Sequence, residues 1–400
     1  MLLASGLSAV DPAGPQHAAA DEVGTLGSSA RASLGGYPVW AHFSNPRTGR
    51  DYTIIDELKR LINAAPSGSV IRGTIFSISI DSVASTLVNA KNRGVTVQVV
   101  LDGKVANSSD PSIPLIRQLT HKFCTNSNGG GGCISTSPDG DMHVKSFTFT
   151  STRDPNGTAR SNVSWFSSSN LTYSSGPDAF NNAVTVYGDA ALMNGLNTNF
   201  ADMWARRHYT DNDYYDAESG RGRYIASAGD VYASPEGVGQ TDTIATRIND
   251  ITPDSNCQMR IGMPSVTSGR PVVLNQILRY RSGGCRVWMV VGGTPEEGIR
   301  MNETVYHTLL NAGVNIRRMA KVHDKYFISY GKYGEGVYRF RVHTGSQNWT
   351  QDALNENDEI FVKMGPEASD SNPLYDAFIG HFNSAYNYGT TCTVSNFPCK

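Results

Sequence analysis

Apolar and polar positions follow one pattern twice along the chain. The runs "SVIRGTIFSIS" and "VTVQVVLDG" early on, and "CQMRIGMPSV" and "CRVWMVVGG" later, flank amphipathic stretches, "VASTLVNAKNRG" and "RPVVLNQILRYRSGG", that close on glycine. Continuous apolar runs mark strands buried on both faces, and a 3.6-residue period ending in Gly marks a helix, so each copy predicts a β-α-β unit with parallel strands. An aromatic residue, a turn at Pro46 or Pro235 and a helical stretch precede each unit. A further helix follows it, clearest in "VYHTLLNAGVNIRRM". The two prolines lie 189 residues apart, a period too long for a solenoid and suited to a duplicated domain. The expected fold class is α/β: two similar halves, with mixed, mostly parallel sheets flanked by helices, packed around a shared central site. The halves are expected at 37–205 and 231–390, joined by a polar, Tyr-rich loop over 206–230.

Charge and cysteines narrow the function classes. With 34 Lys and Arg against 36 Asp and Glu, the formal net charge of −2 lacks the basic surplus of non-specific nucleic-acid binding. Residues 1–20 carry a short apolar run and an A-x-A-like finish, and read as the remnant of a secretion signal without its basic start. No later apolar run reaches the roughly 18 residues of a membrane span. The six cysteines fall into three local pairs, Cys124 with Cys133, Cys257 with Cys285 and Cys392 with Cys399, the last closing a tail over 391–400. This usage suits an oxidising, extracellular compartment. No C-x-x-C occurs and no histidines cluster with the cysteines, so neither a metal nor another cofactor is expected.

Two short stretches carry the chemistry. "GDMHVKSFTFTSTR" holds His143 and Lys145, and "MAKVHDKYFISYGK" holds His323 and Lys325. Each H-x-K sits at a β-prone run, where strand alternation turns both side chains to one side. Chance gives about 0.2 such matches from 9 His and 10 Lys in 400 residues. Two occur, 180 residues apart, and each is followed by a polar turn: "SSSNLT" with Ser168 and Asn170, then "GSQNWT" with Ser346 and Asn348. Further on, "FNNAVTV" and "ENDEIFV" align Asn181, Asn182 and Ala183 with Asn357, Asp358 and Glu359.

The doubled H-x-K with its trailing S-x-N resembles the phospholipase D superfamily, over about residues 37–390. The resemblance implies two α/β halves face to face, with both motifs meeting at one site on the pseudo-twofold axis. A phosphodiester gains charge on its non-bridging oxygens in the transition state, and Lys145, Lys325, Asn170 and Asn348 are donors suited to hold it. One histidine then attacks phosphorus and the other protonates the leaving alcohol. The resemblance assigns attack to His143 and acid catalysis to His323. The aspartate that follows the family's lysine by five residues is missing, Thr150 and Tyr330 standing there. Glu359 is the acid suited to orient a histidine, and the alignment leaves open which one.

Ser168, Ser346, Asn182 and Trp349 complete the candidate substrate-binding set. Trp349, with Trp165, Phe166 and Tyr173, either lines a pocket for a head-group ammonium or packs in the core. The glycine run "NSNGGGGC" lacks a phosphate loop's strand-before and helix-after context and reads as a flexible, disulfide-closed loop. The expected protein is a secreted, monomeric phosphodiesterase for phospholipids or glycerophosphodiesters, touching a membrane surface transiently. A nuclease of the same superfamily and a non-catalytic anion-binding scaffold are the alternatives.

Overall fold

A computed structural model describes residues 29–240, 242–334, 336–365 and 372–400. The expected secretion-signal remnant at 1–20 lies outside them. In chain order the first half runs β1 (Ser29–Leu34), β2 (Tyr37–Ser44), α1 (Thr53–Ala64), β3 (Val70–Ile75), α2 (Asp81–Asn92), β4 (Thr96–Leu101), α3 (Ser112–Ile116), β5 (Thr120–Phe123), β6 (Ser146–Arg153), β7 (Ala159–Ser167), β8 (Asn181–Tyr187) and α4 (Ala190–Ala205). The second runs β9 (Arg223–Tyr224), β10 (Gly229–Ser234), α5 (Thr243–Asn249), β11 (Ile251–Thr252), β12 (Gln258–Met263), α6 (Pro271–Ser282), β13 (Arg286–Thr294), β14 (Gly298–Ile299), α7 (Glu303–Asn311), β15 (Asn315–Met319), β16 (Tyr326–Tyr333), β17 (Val337–Gly345), α8 (Gln351–Asn355), β18 (Glu359–Met364), α9 (Asn372–Tyr386) and β19 (Thr390–Thr391).

The duplication is plain in the strand orders. One sheet runs β1-β2-β8-β7-β6-β3-β4-β5, and the other repeats it as β9-β10-β18-β17-β16-β12-β13-β15 before adding β19. Both sheets are mixed, but parallel pairing is confined to β3-β4-β5 and β12-β13-β15. The sequence expectation of mostly parallel sheets is corrected here: after each H-x-K the next three strands run out, back and out again as direct neighbours, and strands that reverse in this way pair antiparallel.

Burial explains the layering. α1, α2 and α3 cover the outer face of the first sheet with Leu58, Leu61, Ile62, Val83 and Leu87, and α5, α6 and α7 do the same for the second with Ile248, Ile277 and Leu309. A third core lies between the sheets and draws on both halves, with Phe166, Val184 and Leu196 packed alongside Val342, Val362 and Phe378. Here α4 reaches across to β9 and β10, and α9 to β1 and β2. The shared core locks the halves together, so the two H-x-K segments are presented to each other at the carboxyl ends of the parallel strands. Among the described residues no helix is long and apolar enough to cross a membrane.

Three disulfides, Cys124–Cys133, Cys257–Cys285 and Cys392–Cys399, leave no described cysteine free. Cys257 and Cys285 fasten the starts of the parallel neighbours β12 and β13.

Candidate active site

Each H-x-K lies just ahead of a strand, not inside one: β6 opens at Ser146 and β16 at Tyr326. The cause is where the backbone finds its partners. The His143 N–H donates to the Asp358 carbonyl at 2.9 Å, and the His323 N–H to the Phe180 carbonyl at 3.0 Å. Each motif thus leaves its own sheet and pairs with the opposite half through a single parallel bridge, Met142 with Asp358 and Val322 with Phe180.

This crossing corrects the sequence alignment. Asp358 and Phe180 are equivalent, so the counterpart of Glu359 is Asn181 and not Ala183. Glu359 Oε1 lies 2.7 Å from His143 Nδ1, and Asn181 Oδ1 lies 2.9 Å from His323 Nδ1. Each histidine is oriented by the other half, one by a carboxyl and one by a neutral amide.

The lysines repeat the symmetry. Lys145 Nζ donates to its own His143 carbonyl at 2.5 Å and Lys325 Nζ to the His323 carbonyl at 2.7 Å, with the His323 ring nitrogens 3.2 Å away. Phe76 closes the first-half side, its ring centre 4.6 Å from that of His143 and 4.8 Å from Lys145 Nζ. Lys145 and Lys325 are buried, His143 is 7 % exposed and His323 is half-buried.

Burial sets the charges. It holds His143 well below the usual histidine value, and Lys145, Lys325 and His323 press it further down, which places both pairs within electrostatic reach of one another. His323 is lowered by burial and by the two lysines in the same way. Burial brings Lys325 down to about 7, although Glu359 and Asp324 favour its charge. It pushes Glu359 up to about 8, against the pull of Lys145 and the Ser346 hydroxyl. Desolvation disfavours every charge here, and each charge present is sustained by an opposite one.

The remaining candidates divide. Asn170 donates from Nδ2 to Ser175 Oγ at 3.0 Å, and both Asn170 Oδ1 and Asn348 Oδ1 are buried without a hydrogen-bond partner. The expected substrate-binding role of Asn182 is corrected: it is fully buried, donates to Asp324 Oδ1 at 2.9 Å and accepts from Thr344 Oγ1 at 2.5 Å, so its amide is spent inside the protein. Ser168 Oγ donates to Asn181 Oδ1 at 2.9 Å, while Ser346 Oγ accepts from the Ile360 N–H at 3.0 Å. Both serines steady the orienting residues and are not placed to hold substrate. Trp349 is corrected likewise: 1 % exposed, it packs on Phe327 in the second-half core, and Trp165 and Phe166 are fully buried.

The glycine run is ordered by what it wraps. Cys133, Ile134 and Ser135 donate their N–H groups to the Asp358 carboxylate at 2.6, 3.1 and 2.7 Å, fixing the residue next to Glu359. Gly131 is required there, because a Cβ would stand 2.4 Å from an Asp102 carboxylate oxygen. Expected as flexible, the loop is a clamp instead.

Sequence reading missed a second buried network. Asp324, the middle residue of the second H-x-K, accepts from His381 Nε2 at 2.9 Å and from Asn182, joining α9, β8 and the motif. A carboxylate inside a buried run, where the first half has Val144, was the available signal. His381 offered none. Of the missing aspartate positions, Thr150 Oγ1 accepts the Val70 N–H at 2.9 Å and Tyr330 stacks on Tyr338 and Phe340.

Among solved structures, the phosphatidylserine synthase of Haemophilus influenzae Rd KW20 superposes with a TM-score of 0.58 over 92 % of this chain and 90 % of that one, at 12 % identity. The polyphosphate kinase of Porphyromonas gingivalis superposes with a TM-score of 0.50 over 86 % of this chain, also at 12 % identity, and this chain covers only 56 % of that kinase. No curated protein sequence matches the chain. The family model described as cardiolipin synthase, PLD-like domain, matches twice, at residues 58–204 and 254–384, which enclose the two H-x-K segments and their trailing turns. The chain belongs to that family, and so to the phospholipase D superfamily of phosphodiesterases and phosphatidyltransferases.

Proposed function

We propose that the protein is a secreted phosphodiesterase acting on phospholipids or their deacylated glycerophosphodiesters through a phosphohistidine intermediate. The observation that carries the assignment of roles is the unequal pair of orienting groups, Glu359 on His143 and Asn181 on His323. An imidazole that bonds phosphorus through Nε2 becomes cationic, and a carboxylate on its Nδ1–H stabilises that cation. An acid must instead release its proton, and a neutral amide orients the ring without holding the charge.

His143 Nε2 attacks phosphorus as the bond to the leaving alcohol breaks, and His323 gives its Nε2 proton to the departing oxygen. Water or a second alcohol then loses its proton to His323 while its oxygen attacks phosphorus and the P–N bond breaks. Lys145 and Lys325 offer charge to the non-bridging oxygens. The unpartnered Asn170 and Asn348 amide oxygens suit an incoming O–H donor. The three disulfides support an oxidising, extracellular setting.

Product release from a panel of phospholipids, glycerophosphodiesters and single- and double-stranded DNA tests this reading. Turnover of the lipid-derived diesters is expected. Turnover of DNA alone overturns it in favour of a nuclease, and turnover of none overturns it in favour of a non-catalytic scaffold.

A further inference from the structure

The duplication supplies an internal control for a cleft on the first half that the catalytic reading does not use. The strand pairings make Arg72 equivalent to Arg260, Gln98 to Trp288 and Thr148 to Ile328. In the second half this patch beneath α9 is filled. Arg260 lies over the Trp288 ring at 4.7 Å and reaches the Tyr375 hydroxyl at 3.4 Å, Phe340 packs on Tyr375 at 4.8 Å, and Ile328 is in the shared core.

In the first half the same patch beneath α4 is open, a cleft of about 550 Å³ in which Arg72, Gln98, Asn197 and the Asp202 carboxylate lie beside Phe200 and Trp204. Arg72 spends Nε on Gln98 Oε1 at 3.1 Å, and no carboxylate among the described residues pairs with it. Asn197 accepts from Thr148 Oγ1 at 2.7 Å, which leaves its NH2 for the cleft, and the Asn194 amide has no hydrogen bond among the described residues. Gln98 in place of a tryptophan forgoes apolar burial and leaves the cleft unfilled, with the Arg72 guanidinium on its lining.

We propose that this cleft is a second binding site, separate from the catalytic centre, for a small anionic polyol of sugar-phosphate size. Arg72 at the floor supplies charge for the anion, Arg207 at the rim being paired with Asp202 at 2.7 Å, and the amides and Thr198 supply paired donors and acceptors of the kind vicinal hydroxyls need. Arg72 precedes Phe76 by four residues, about 13 Å of extended strand, so an occupant does not touch His143.

Calorimetric titration of the intact protein with glucose 6-phosphate, glucose and inorganic phosphate tests the proposal. Glucose 6-phosphate is expected to bind, each fragment about tenfold or more weakly. Gln98→Trp, which copies the second half, is expected to lower that affinity about tenfold or more and leave diester turnover unchanged, with Asn197→Leu as the second variant should the first not fold. No binding to the wild type, unchanged affinity in a folded Gln98→Trp protein, or equal binding of phosphate alone would each overturn it.

Discussion

Glu359 Oε1 stands 2.7 Å from His143 Nδ1, although 216 residues separate them and they belong to opposite halves of the duplication. The contact exists because each H-x-K segment takes its backbone partner from the other half, Asp358 for His143 and Phe180 for His323. It breaks the twofold symmetry at one atom pair, since His323 receives the Asn181 amide instead.

Glu359→Gln is therefore expected to cost turnover while stabilising the fold. The phosphohistidine cation loses its counter-charge, a loss of roughly 10²-fold in kcat or more by analogy with single electrostatic contacts in other active sites. Burial holds the Glu359 carboxyl up to about 8, so the fold resists its ionised form, and an amide of the same shape removes that strain. Steady-state kinetics and thermal unfolding at pH 8 check both; a lower Tm with unchanged kcat refutes the assignment.

The rate should depend on pH as a bell centred between about 7 and 8. In the proposed roles His143 attacks from the form in which Glu359 is ionised and Nδ1 carries the proton, so the competent fraction of Glu359 grows as pH climbs toward its value of about 8. Lys325 must be charged to hold phosphate, so activity falls as pH climbs past about 7. The active form needs Glu359 without its proton and Lys325 with its own, and the fraction that meets both conditions has a single maximum between the two values. Lys325→Arg is expected to flatten the alkaline limb of kcat/KM, and an unaltered limb assigns it elsewhere.

The two histidines should fail differently. His143→Asn and His323→Asn are both expected to lose nearly all turnover, because nucleophile and acid act as a unit. With a leaving group that needs no proton, His323→Asn accumulates a phosphoenzyme and His143→Asn forms none. Mass spectrometry of the intact variants decides this, an adduct on His323 reversing the roles. With the transition-state charge assigned to the two lysines, turnover of the wild type is expected to persist in EDTA.

Asp324 favours the charged form of Lys325 and anchors its strand to His381 and Asn182. Asp324→Asn is expected to move the alkaline limb of kcat/KM to lower pH, a shift that a loss of packing alone does not produce. An unmoved limb in a folded variant reduces Asp324 to a structural role.

The Cys257–Cys285 bridge closes a span of 28 residues. By the loop-entropy relation, Cys257→Ala with Cys285→Ala is expected to lower stability by about 3.5 kcal/mol, read by urea unfolding under oxidising conditions. The catalytic pairs lie elsewhere, so kcat at low temperature should hold.

The chain alone determined the duplication, the β-α-β units and the two His-Lys pairs, because apolar periodicity and a repeated, improbable tripeptide are local and countable properties. It also carried Glu359 as the odd acid of the trailing motifs, without its partner. Tertiary structure decided what depends on one half meeting the other. The crossing of backbone partners shifted the alignment by two residues, gave Glu359 to His143 and Asn181 to His323, and drew Asn182 into the interior, while Trp349 was buried by packing within the second half. The clamp of the glycine loop on Asp358 came from the same source, whereas the antiparallel majority of the sheets comes from consecutive strands pairing within each half. The cross-half features arise where segments more than a hundred residues apart satisfy each other's buried polar groups, and no local pattern records which donor will find which acceptor.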